Sequence, residues 1–488
     1  MAKWIAGRGS FKYLEPEDDR SQTEQSVAKI GVTATETITV FATATVTSTK
    51  ELEVISTIIP TPGPSFCDAC GPDDSLCAEY GEHNLAKSRL YEGTNFRFHR
   101  VIKQALAGEP VKIGVLGGSV TKGHGLRTQS DNWTNKFLEA WKGLFPNSQT
   151  ELYNGAVPAT GSDYLSVCFG EHLDEDVDLV LIELAINDQR LESNANAYEW
   201  LLRGVLELPK RPAVINLQTM TLLFEQISMG GDLHIRFLRA ILCIRNFLVP
   251  YILKHAELDE YYFCKNKEGT DWRHVDVHGH KVMADILIAY TQRQICAVEM
   301  GKSRLQKADL KINEQLPKME DLDDIPRIRL LQKYDRDTVL EKFSPTCQSV
   351  RTTKHPLTPI ENQGWTIWTF KGRLDKPYLV AKNPGDFVKF EVLVGTMRRV
   401  RITYLKSKTF GLGDVWCWLD DDRAKGTKVS GWWNKENLNI ARQSYYFRVI
   451  VLSENAEPGK HTVTCEIMQE TSDPGKGHEF RLIAVDAA

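Results

Sequence analysis

The sequence contains no apolar run of about eighteen residues, the length at which a helix can span a bilayer. Its opening, MAKWIAGRGSFKYLEPEDDR, lacks the apolar centre of a signal peptide. An excess of positive charge is also missing, because the formal net charge is −4 and lysine and arginine are scattered along the chain. We therefore expect no transmembrane span in this chain and no binding to nucleic acid.

Apolar residues are plentiful and make up 42% of the 488 positions. This length exceeds what one hydrophobic core usually supports, so we expect two folded domains and a tail. Changes in composition predict four segments: a Thr-rich, disordered tail or stalk at 1–65, an α/β domain with a Cys-rich lead-in at 66–300, a charged linker at 301–358, and a β-sandwich at 359–488.

Cysteine is not scarce, and three of the ten cysteines form a tight cluster at Cys67, Cys70 and Cys77. No fourth ligand has zinc-finger spacing, so disulfides are favoured over a zinc site or free thiols. Upstream, threonine fills alternate positions of VTATETITVFATATVTSTK, which suits a β-strand but is more typical of an O-glycosylated stalk. With a glycosylation sequon at Asn132, these features predict the secretory pathway, meaning the cell surface, the extracellular space or the Golgi lumen, although no signal peptide is visible.

The region from residue 111 to about 296 alternates short apolar runs with segments of helical periodicity. The runs VKIGVL, ELYNGAV, DLVLIEL and PAVINLQTM predict strands, and LHIRFLRAILCIRNFLVPYILKHA predicts one or two helices. Repeated β-α units imply a parallel sheet between two helical layers, a three-layer α/β/α domain. Ligands of such sheets bind at the carboxyl ends of the strands.

Polar residues with catalytic potential follow these predicted strands. Ser119 lies in GVLGGSVTKGHG, where a strand passes into a helix, and Asn187 ends another apolar run. Alone, such a serine usually caps a helix and such an asparagine bonds its own turn. Asp271 precedes His274 by three residues, a spacing that lets a carboxylate hold an imidazole in one tautomer while its other nitrogen accepts a serine proton. We expect these residues to meet at one edge of the sheet.

In their order and spacing, these blocks resemble the SGNH hydrolases, also called GDSL-like lipases and acylhydrolases, over residues 88–300. The resemblance extends to a fungal group described as capsule-associated or SGNH-hydrolase-type esterases. It implies a flavodoxin-like α/β/α fold, with Ser119 as nucleophile, His274 as base and Asp271 as its orienting partner. Three positions depart from the usual motifs: glycine replaces aspartate at Gly118, alanine replaces glycine at Ala185, and valine replaces proline at Val275.

The resemblance also implies an oxyanion hole that stabilises the tetrahedral intermediate. Its donors would be the backbone N–H groups of Ser119 and Gly161 and the side-chain amide of Asn187. Gly155 is the alternative to Gly161 but lies directly at the strand end. The implied activity is removal of acyl groups, most often acetyl, from a cell-surface or capsular polysaccharide through an acyl-enzyme, with no cofactor and no metal. A polysaccharide O-acetyltransferase, or an inactive glycan-binding or scaffold protein, is the alternative, and the sequence does not predict an oligomeric state.

Other polar residues near these motifs have simpler interpretations. We expect His124 to be a solvated loop histidine. His278 and His280 could be metal ligands together with His274, but we expect them to have a structural role at a helix N-terminus instead. Asp163 and Asp188 are expected to cap or orient loops.

From about residue 360 the sequence is a succession of short apolar and aromatic runs separated by Gly, Pro, Asn or Asp. This pattern predicts an antiparallel, jelly-roll-like β-sandwich, which could serve as a carbohydrate-binding module. Cys417 and Cys465 lie on separate predicted strands and could pair. Two-thirds of the tryptophans are expected in the core and the remainder available to stack on sugars: Trp365, Trp368, Trp416, Trp418, Trp432 and Trp433.

Overall fold

In this computed structural model the described residues all belong to one compact unit that runs from Thr61 to Ala488. No helix among them is long and apolar enough to cross a membrane. The predicted tail at 1–65 and about half of the predicted linker lie outside the described residues, so the four segment boundaries stay predictions. The structure describes residues 67–68, 70–222, 234, 242–245, 258–266, 269–305, 325, 329, 331–333, 335, 337, 340, 342–369, 376–433 and 445–488.

The first half of the molecule is built on a six-stranded sheet of order β1-β6-β5-β4-β2-β3. Strands β2 to β6 are parallel, and β1 pairs with β6 in the antiparallel sense at one edge. The strands are β1 (Arg89–Tyr91), β2 (Val111–Gly117), β3 (Thr150–Asn154), β4 (Leu179–Glu183), β5 (Ala213–Gln218) and β6 (Leu242–Arg245).

Helices cover both faces of this sheet, which confirms the predicted three-layer α/β/α architecture. Strand β4 has a continuous apolar run because both of its faces are buried. Leu179 and Leu181 pack into the core on one face of the sheet, and Val180 and Ile182 pack into the core on the other face. The helices are α1 (Ser75–Tyr80), α2 (Glu82–Lys87), α3 (Phe96–Leu106), α4 (Trp133–Leu144), α5 (Ser162–Cys168), α6 (Glu192–Leu206), α7 (Asp259–Tyr262) and α8 (Val277–Leu305). The first core packs α3, α4 and α8 on the sheet, and the second packs α5 and α6.

The strands differ from the sequence expectation in two places. Strand β6 lies inside the segment expected to be helical, and it pairs in parallel with β5 from Ile215↔Leu242 onward. A short apolar run suits a buried strand as well as a helix, and the pairing with β5 decides between them. The residues before the last helix, where the sequence predicted no strand, form a hairpin of β7 (Phe263–Asn266) and β8 (Gly269–Val275).

The second half is an antiparallel β-sandwich, as predicted. One sheet has the order β10-β13-β18-β15-β16, and the other has the order β11-β12-β19-β14-β17 with β9 also paired to β19. The strands are β9 (Thr346–Ser349), β10 (Glu361–Gln363), β11 (Thr366–Thr369), β12 (Pro377–Ala381), β13 (Phe387–Val394), β14 (Val400–Ser407), β15 (Asp414–Leu419), β16 (Thr427–Ser430), β17 (Tyr445–Ser453), β18 (Gly459–Ile467) and β19 (Phe480–Ala487).

The tryptophans of the sandwich are less buried than expected. Of the six, Trp365 and Trp433 are buried, with 3% and 2% of their surfaces exposed, so the two-thirds estimate for the core is wrong. Trp368 is 39% exposed, but the guanidinium of Arg481 lies 4.4 Å from its ring. The predicted Cys417–Cys465 disulfide is present.

Disulfides also join distant parts of the chain. The Cys67, Cys70 and Cys77 cluster is oxidised as predicted, with Cys70 bonded to Cys77 and Cys67 bonded to Cys296 of α8. A fourth bridge, between Cys168 at the end of α5 and Cys347 in β9, ties the α/β domain to the sandwich. The core around α5 and α6 continues into the sandwich through residues such as Ile483 and Ala484 of β19.

Candidate active site

Ser119 lies just beyond the carboxyl end of β2, in a tight turn. The turn is closed by backbone hydrogen bonds from the Lys122 N–H to the Gly118 carbonyl and from the His124 N–H to the Ser119 carbonyl. A Cβ at Gly117 would approach Thr121 Oγ1 to 2.3 Å, so the chain can turn this closely only with glycine there. The Ser119 hydroxyl is 2.8 Å from Nε2 of His274.

His274 and Asp271 both lie on β8 and are hydrogen bonded to each other. His274 Nδ1 is 2.7 Å from Asp271 Oδ2, and the Arg273 backbone N–H donates to the other carboxylate oxygen. The pairing of β7 with β8 is irregular: Phe263 and Lys265 lie opposite Val275 and Thr270. The extra residues of β8 bulge out of the ladder, which allows two side chains three positions apart to face the same way.

The protonation of this pair follows from the geometry. Partial burial by itself raises the pKa of Asp271, but the hydrogen bond from His274 and the attraction of the carboxylate to the imidazolium form of that ring outweigh burial and lower the pKa to about 2. The carboxylate is therefore ionised at neutral pH and accepts the Nδ1 proton of His274. Nε2 then carries the lone pair that faces Ser119, which is the arrangement needed to accept its proton.

Asn187 lies between the nucleophile turn and the loop that carries Gly161. The side-chain amide of Asn187 packs on the nucleophile turn so closely that a Cβ on Gly118 would lie 2.4 Å from its Oδ1. On its other side, the Asn187 carbonyl oxygen is 3.5 Å from the position of a Cβ on Gly161. The backbone N–H groups of Ser119 and Gly161 donate to no acceptor among the described residues.

Gly155, the alternative to Gly161, has a different role. Its N–H donates to the Val115 carbonyl at 2.9 Å, so it is engaged in the sheet edge. A Cβ at Gly155 would lie 1.9 Å from the His172 carbonyl oxygen, so this glycine is needed for close backbone packing. The geometry therefore favours Gly161 as the second donor.

Asp188 orients the loop that carries Gly161, in the role expected for it. Its Oδ1 accepts the Ser162 N–H at 2.7 Å, at the start of α5, and its Oδ2 bonds Nε2 of His234 at 2.7 Å. The His234 ring stacks on Tyr198 with centroids 3.7 Å apart. Sequence analysis missed His234, because nothing in its local sequence relates it to a residue 46 positions earlier.

His124 is not the solvated loop histidine that we expected. Its ring is partly buried, and its centroid lies 4.3 Å from that of His274. Ligand atoms of His124, Asp271 and His274 lie within 4.8 Å of one another and could hold a metal ion, but both nitrogens of His274 are already hydrogen bonded to Asp271 and Ser119. His124 therefore forms one wall of the site beside the base.

His278 and His280 lie outside this cluster. His280 is fully buried, and its Nδ1 accepts the Trp133 backbone N–H. Burial lowers the pKa of His280 to about 3, so the ring is neutral. His278 bonds Asp276 and stacks on Tyr261. Within the part of the chain that the structure describes, the metal-capable group around His274 includes neither of them.

Glu183 is a second residue that the sequence did not single out. It ends β4 and is fully buried, and its two carboxylate oxygens accept hydrogen bonds from Thr121 and Thr219. Burial raises its pKa despite these bonds. Because Thr121 follows Ser119 by two residues, Glu183 links the nucleophile turn to the neighbouring strand ends.

Comparison with protein families and with curated proteins finds no match for this chain. Among solved structures, a two-domain esterase active on acetylated mannans, crystallised with mannopentaose, matches with a TM-score of 0.60 at 18% identity, covering 83% of this chain and 97% of the other. A second structure of a two-domain esterase active on acetylated mannans gives 0.59 at 17% identity, covering 83% and 98%. The chain shares the fold of these two-domain esterases.

The likeness to the two-domain esterases includes the α/β domain and the sandwich together, as the coverage of both chains shows. A carbohydrate esterase family 2 enzyme with a carbohydrate binding domain, from Corynascus thermopiles (Myceliophthora fergusii), matches over a smaller part, with a TM-score of 0.27 at 11% identity, covering 39% and 67%. At these identities the likeness establishes the fold alone. The activity has to be argued from the residues of the site.

Proposed function

We propose that this protein is an SGNH-type serine esterase that removes O-acetyl groups from a polysaccharide. The observation that carries the proposal is the hydrogen-bonded chain from Ser119 through His274 to Asp271, with distances of 2.8 and 2.7 Å. A serine, an imidazole and a carboxylate in this order form the machinery of nucleophilic acyl transfer. A structural or purely glycan-binding role would not require this alignment.

In the proposed reaction, Ser119 Oγ attacks the ester carbonyl while His274 Nε2 accepts its proton. Asp271 stabilises the imidazolium that forms. His274 then donates the proton to the departing sugar hydroxyl, which leaves an acyl-enzyme on Ser119. Water activated by the same imidazole hydrolyses the acyl-enzyme and releases acetate.

The tetrahedral intermediates carry a negative oxygen that needs preorganised donors. In the proposed site these donors are the N–H groups of Ser119 and Gly161 and the side-chain amide of Asn187. A single donor of this kind is worth about 2.7 to 4 kcal/mol in the transition state. Gly118 permits the close approach of Asn187, so the replacement of the usual aspartate is consistent with this oxyanion site.

The substrate class is inferred from the fold and from the site. The two-domain esterases that share this fold act on acetylated mannans, and the sandwich provides a second domain that can hold the polysaccharide. We extend the proposal to the fungal capsule-associated esterases, on the resemblance of Gly117-Gly118-Ser119 to the motif of that group. Four disulfides support a location in the secretory pathway, at the cell surface, outside the cell or in the Golgi lumen.

The test is acetate release by the full chain from acetylated xylan, mannan and glucuronoxylomannan, compared with hydrolysis of 4-nitrophenyl acetate. Ser119→Ala should lower turnover at least about 10³-fold and leave the melting temperature nearly unchanged. Ser130→Ala, which alters an exposed serine at a 3-10 turn, is the matched control. Turnover of the Ser119→Ala protein at the wild-type rate would refute the proposal.

A further inference from the structure

His124 is held in place by the same turn that carries the proposed nucleophile. Its backbone N–H donates to the Ser119 carbonyl at 2.9 Å. The glycines on either side of it, Gly123 and Gly125, both have left-handed backbones, with φ of +82° and +91°. A Cβ on Gly125 would lie 2.5 Å from the Sγ of Cys264, so the chain can bend against β7 here only with glycine. These bends on both sides return the His124 side chain to the site.

The His124 ring contacts the proposed base and is still accessible. Its centroid lies 4.3 Å from that of His274, and the two ring planes are inclined at 49°. A ring nitrogen of His124 lies within 4.8 Å of a nitrogen of His274 and of a carboxylate oxygen of Asp271. The side chain is only partly buried, so a molecule bound at Ser119 can reach it. An imidazole has two nitrogens, and one can bond a ligand while the other keeps a contact with the protein.

The proposed reaction places the alcohol part of the ester on the His274 side of Ser119. His274 accepts the serine proton and then passes it to the leaving oxygen, so that oxygen has to lie next to the His274 ring. The carbonyl oxygen points instead towards the oxyanion donors. Because His124 packs on His274, it borders the space that the departing alcohol occupies.

A sugar differs from a simple alcohol in what surrounds its ester oxygen. On an acetylated sugar ring, the carbon next to the acetylated one carries a further oxygen, which belongs to a hydroxyl group, a glycosidic bond or the ring. A histidine beside the base can donate a hydrogen bond to this oxygen or accept one from its hydroxyl. The leaving group of 4-nitrophenyl acetate has no oxygen on the neighbouring carbons.

We propose that His124 is a specificity-determining residue, which hydrogen bonds the sugar next to its acetyl group and so favours glycan esters over esters of simple alcohols. This inference rests on the proposed esterase function, because the role of His274 fixes the side of Ser119 on which the alcohol lies. The contact acts on acylation, the step in which the sugar leaves. After that step every acetyl ester gives the same acetyl-enzyme on Ser119.

The test is a ratio of two kcat/KM values of the full chain. The first is for whichever acetylated polysaccharide the wild type hydrolyses fastest, and the second is for 4-nitrophenyl acetate. His124→Phe keeps a ring against His274 but removes both nitrogens, and it should lower this ratio about tenfold, or about 1.4 kcal/mol, the size of one hydrogen bond. His124→Gln, which restores a donor and an acceptor, should recover part of the ratio. A residue that only supported His274 would change both rates by the same factor.

His278→Phe is the matched control, since His278 is a partly exposed histidine that bonds Asp276 outside the cluster around Ser119. It should leave the ratio unchanged. The melting temperature of each variant shows whether the fold is kept, and His124→Ala, which needs less space, replaces His124→Phe if that protein does not fold.

The proposal is overturned if the ratio of a folded His124→Phe or His124→Ala protein equals that of the wild type, or if His278→Phe lowers the ratio as much. Either result would leave the esterase proposal standing. Wild-type protein that releases no acetate from acetylated xylan, mannan or glucuronoxylomannan would refute both proposals.

Discussion

At the scale of single residues, the position of Asn187 depends on the absence of a side chain at Gly118. A Cβ there would lie 2.4 Å from Asn187 Oδ1 and 2.8 Å from its Nδ2. Gly118→Ala should therefore displace the amide from the oxyanion site and lower kcat by about 10²–10³-fold, with a smaller effect on KM. The measurement is steady-state hydrolysis of 4-nitrophenyl acetate.

The control for this substitution is Gly143→Ala. Gly143 lies in α4, and a Cβ there meets nothing within 4 Å. Alanine at this helical position should raise stability by up to about 1 kcal/mol and leave kcat unchanged. A Gly118→Ala enzyme with wild-type kcat would show that Asn187 does not donate to the oxyanion.

Asp271 holds the His274 ring in the tautomer whose Nε2 faces Ser119. Asp271→Asn keeps the shape of the side chain but favours the wrong tautomer of His274, so kcat should fall by about 10³–10⁴-fold. His278→Ala and Asp276→Asn alter the adjacent hydrogen-bonded pair and should matter little. If His278→Ala were as damaging as His274→Ala in folded protein, the base would have to be reassigned.

At the scale of elements, a disulfide joins α5 to β9. The Cys168–Cys347 bridge spans 179 positions of sequence, whereas Cys70–Cys77 spans 7. In the chain-entropy account, a longer closed loop restricts the unfolded chain more. Replacing both Cys168 and Cys347 with alanine should therefore lower the free energy of unfolding by about 3 kcal/mol more than the Cys70→Ala, Cys77→Ala pair does.

Denaturant titration of the two double variants measures this difference. Removing both cysteines of each bridge avoids leaving a free thiol. Because α5 begins directly after Gly161, the Cys168→Ala, Cys347→Ala variant should also show a lower kcat than the other pair. Equal stabilities of the two variants would contradict the loop-length argument for this chain.

At the scale of the whole molecule, buried histidines should set the acid limit of stability. Burial lowers the pKa of His280 and of His172 to about 3, below the ordinary value of 6.5. Between these values the unfolded chain binds more protons than the folded one, so the free energy of unfolding falls as the pH drops from 6.5 towards 3. Both residues are at most 5% exposed.

His280→Asn should remove part of this acid sensitivity, because asparagine can accept the Trp133 N–H without becoming protonated. Relative to the wild type, the variant should gain about 2–3 kcal/mol in unfolding free energy on going from pH 7 to pH 4.5. Urea titrations at the two pH values measure it. An unchanged difference between the two proteins would mean that His280 is protonated within the fold.

The sequence by itself determined the features that depend on local pattern. Continuous apolar runs predicted β2, β4 and β5, because a strand that is covered on both faces is mostly apolar. The run ELYNGAV predicted β3, which lies at the edge of the sheet. The short strands with turn residues predicted the sandwich. Ser119 and the Asp271-x-x-His274 spacing predicted a triad that the structure assembles at 2.8 and 2.7 Å. The catalytic role of these residues stays a prediction until turnover is measured.

Only the tertiary structure decided the features that depend on residues distant in sequence. Three contacts join positions that no local pattern of the sequence relates. They are the His124 ring against His274, the hydrogen bond between Asp188 and His234, and the disulfide between Cys168 and Cys347. Gly161 is favoured over Gly155 as the oxyanion donor because the Gly155 N–H is hydrogen bonded within the sheet. Strand β6 forms because it can pair with β5.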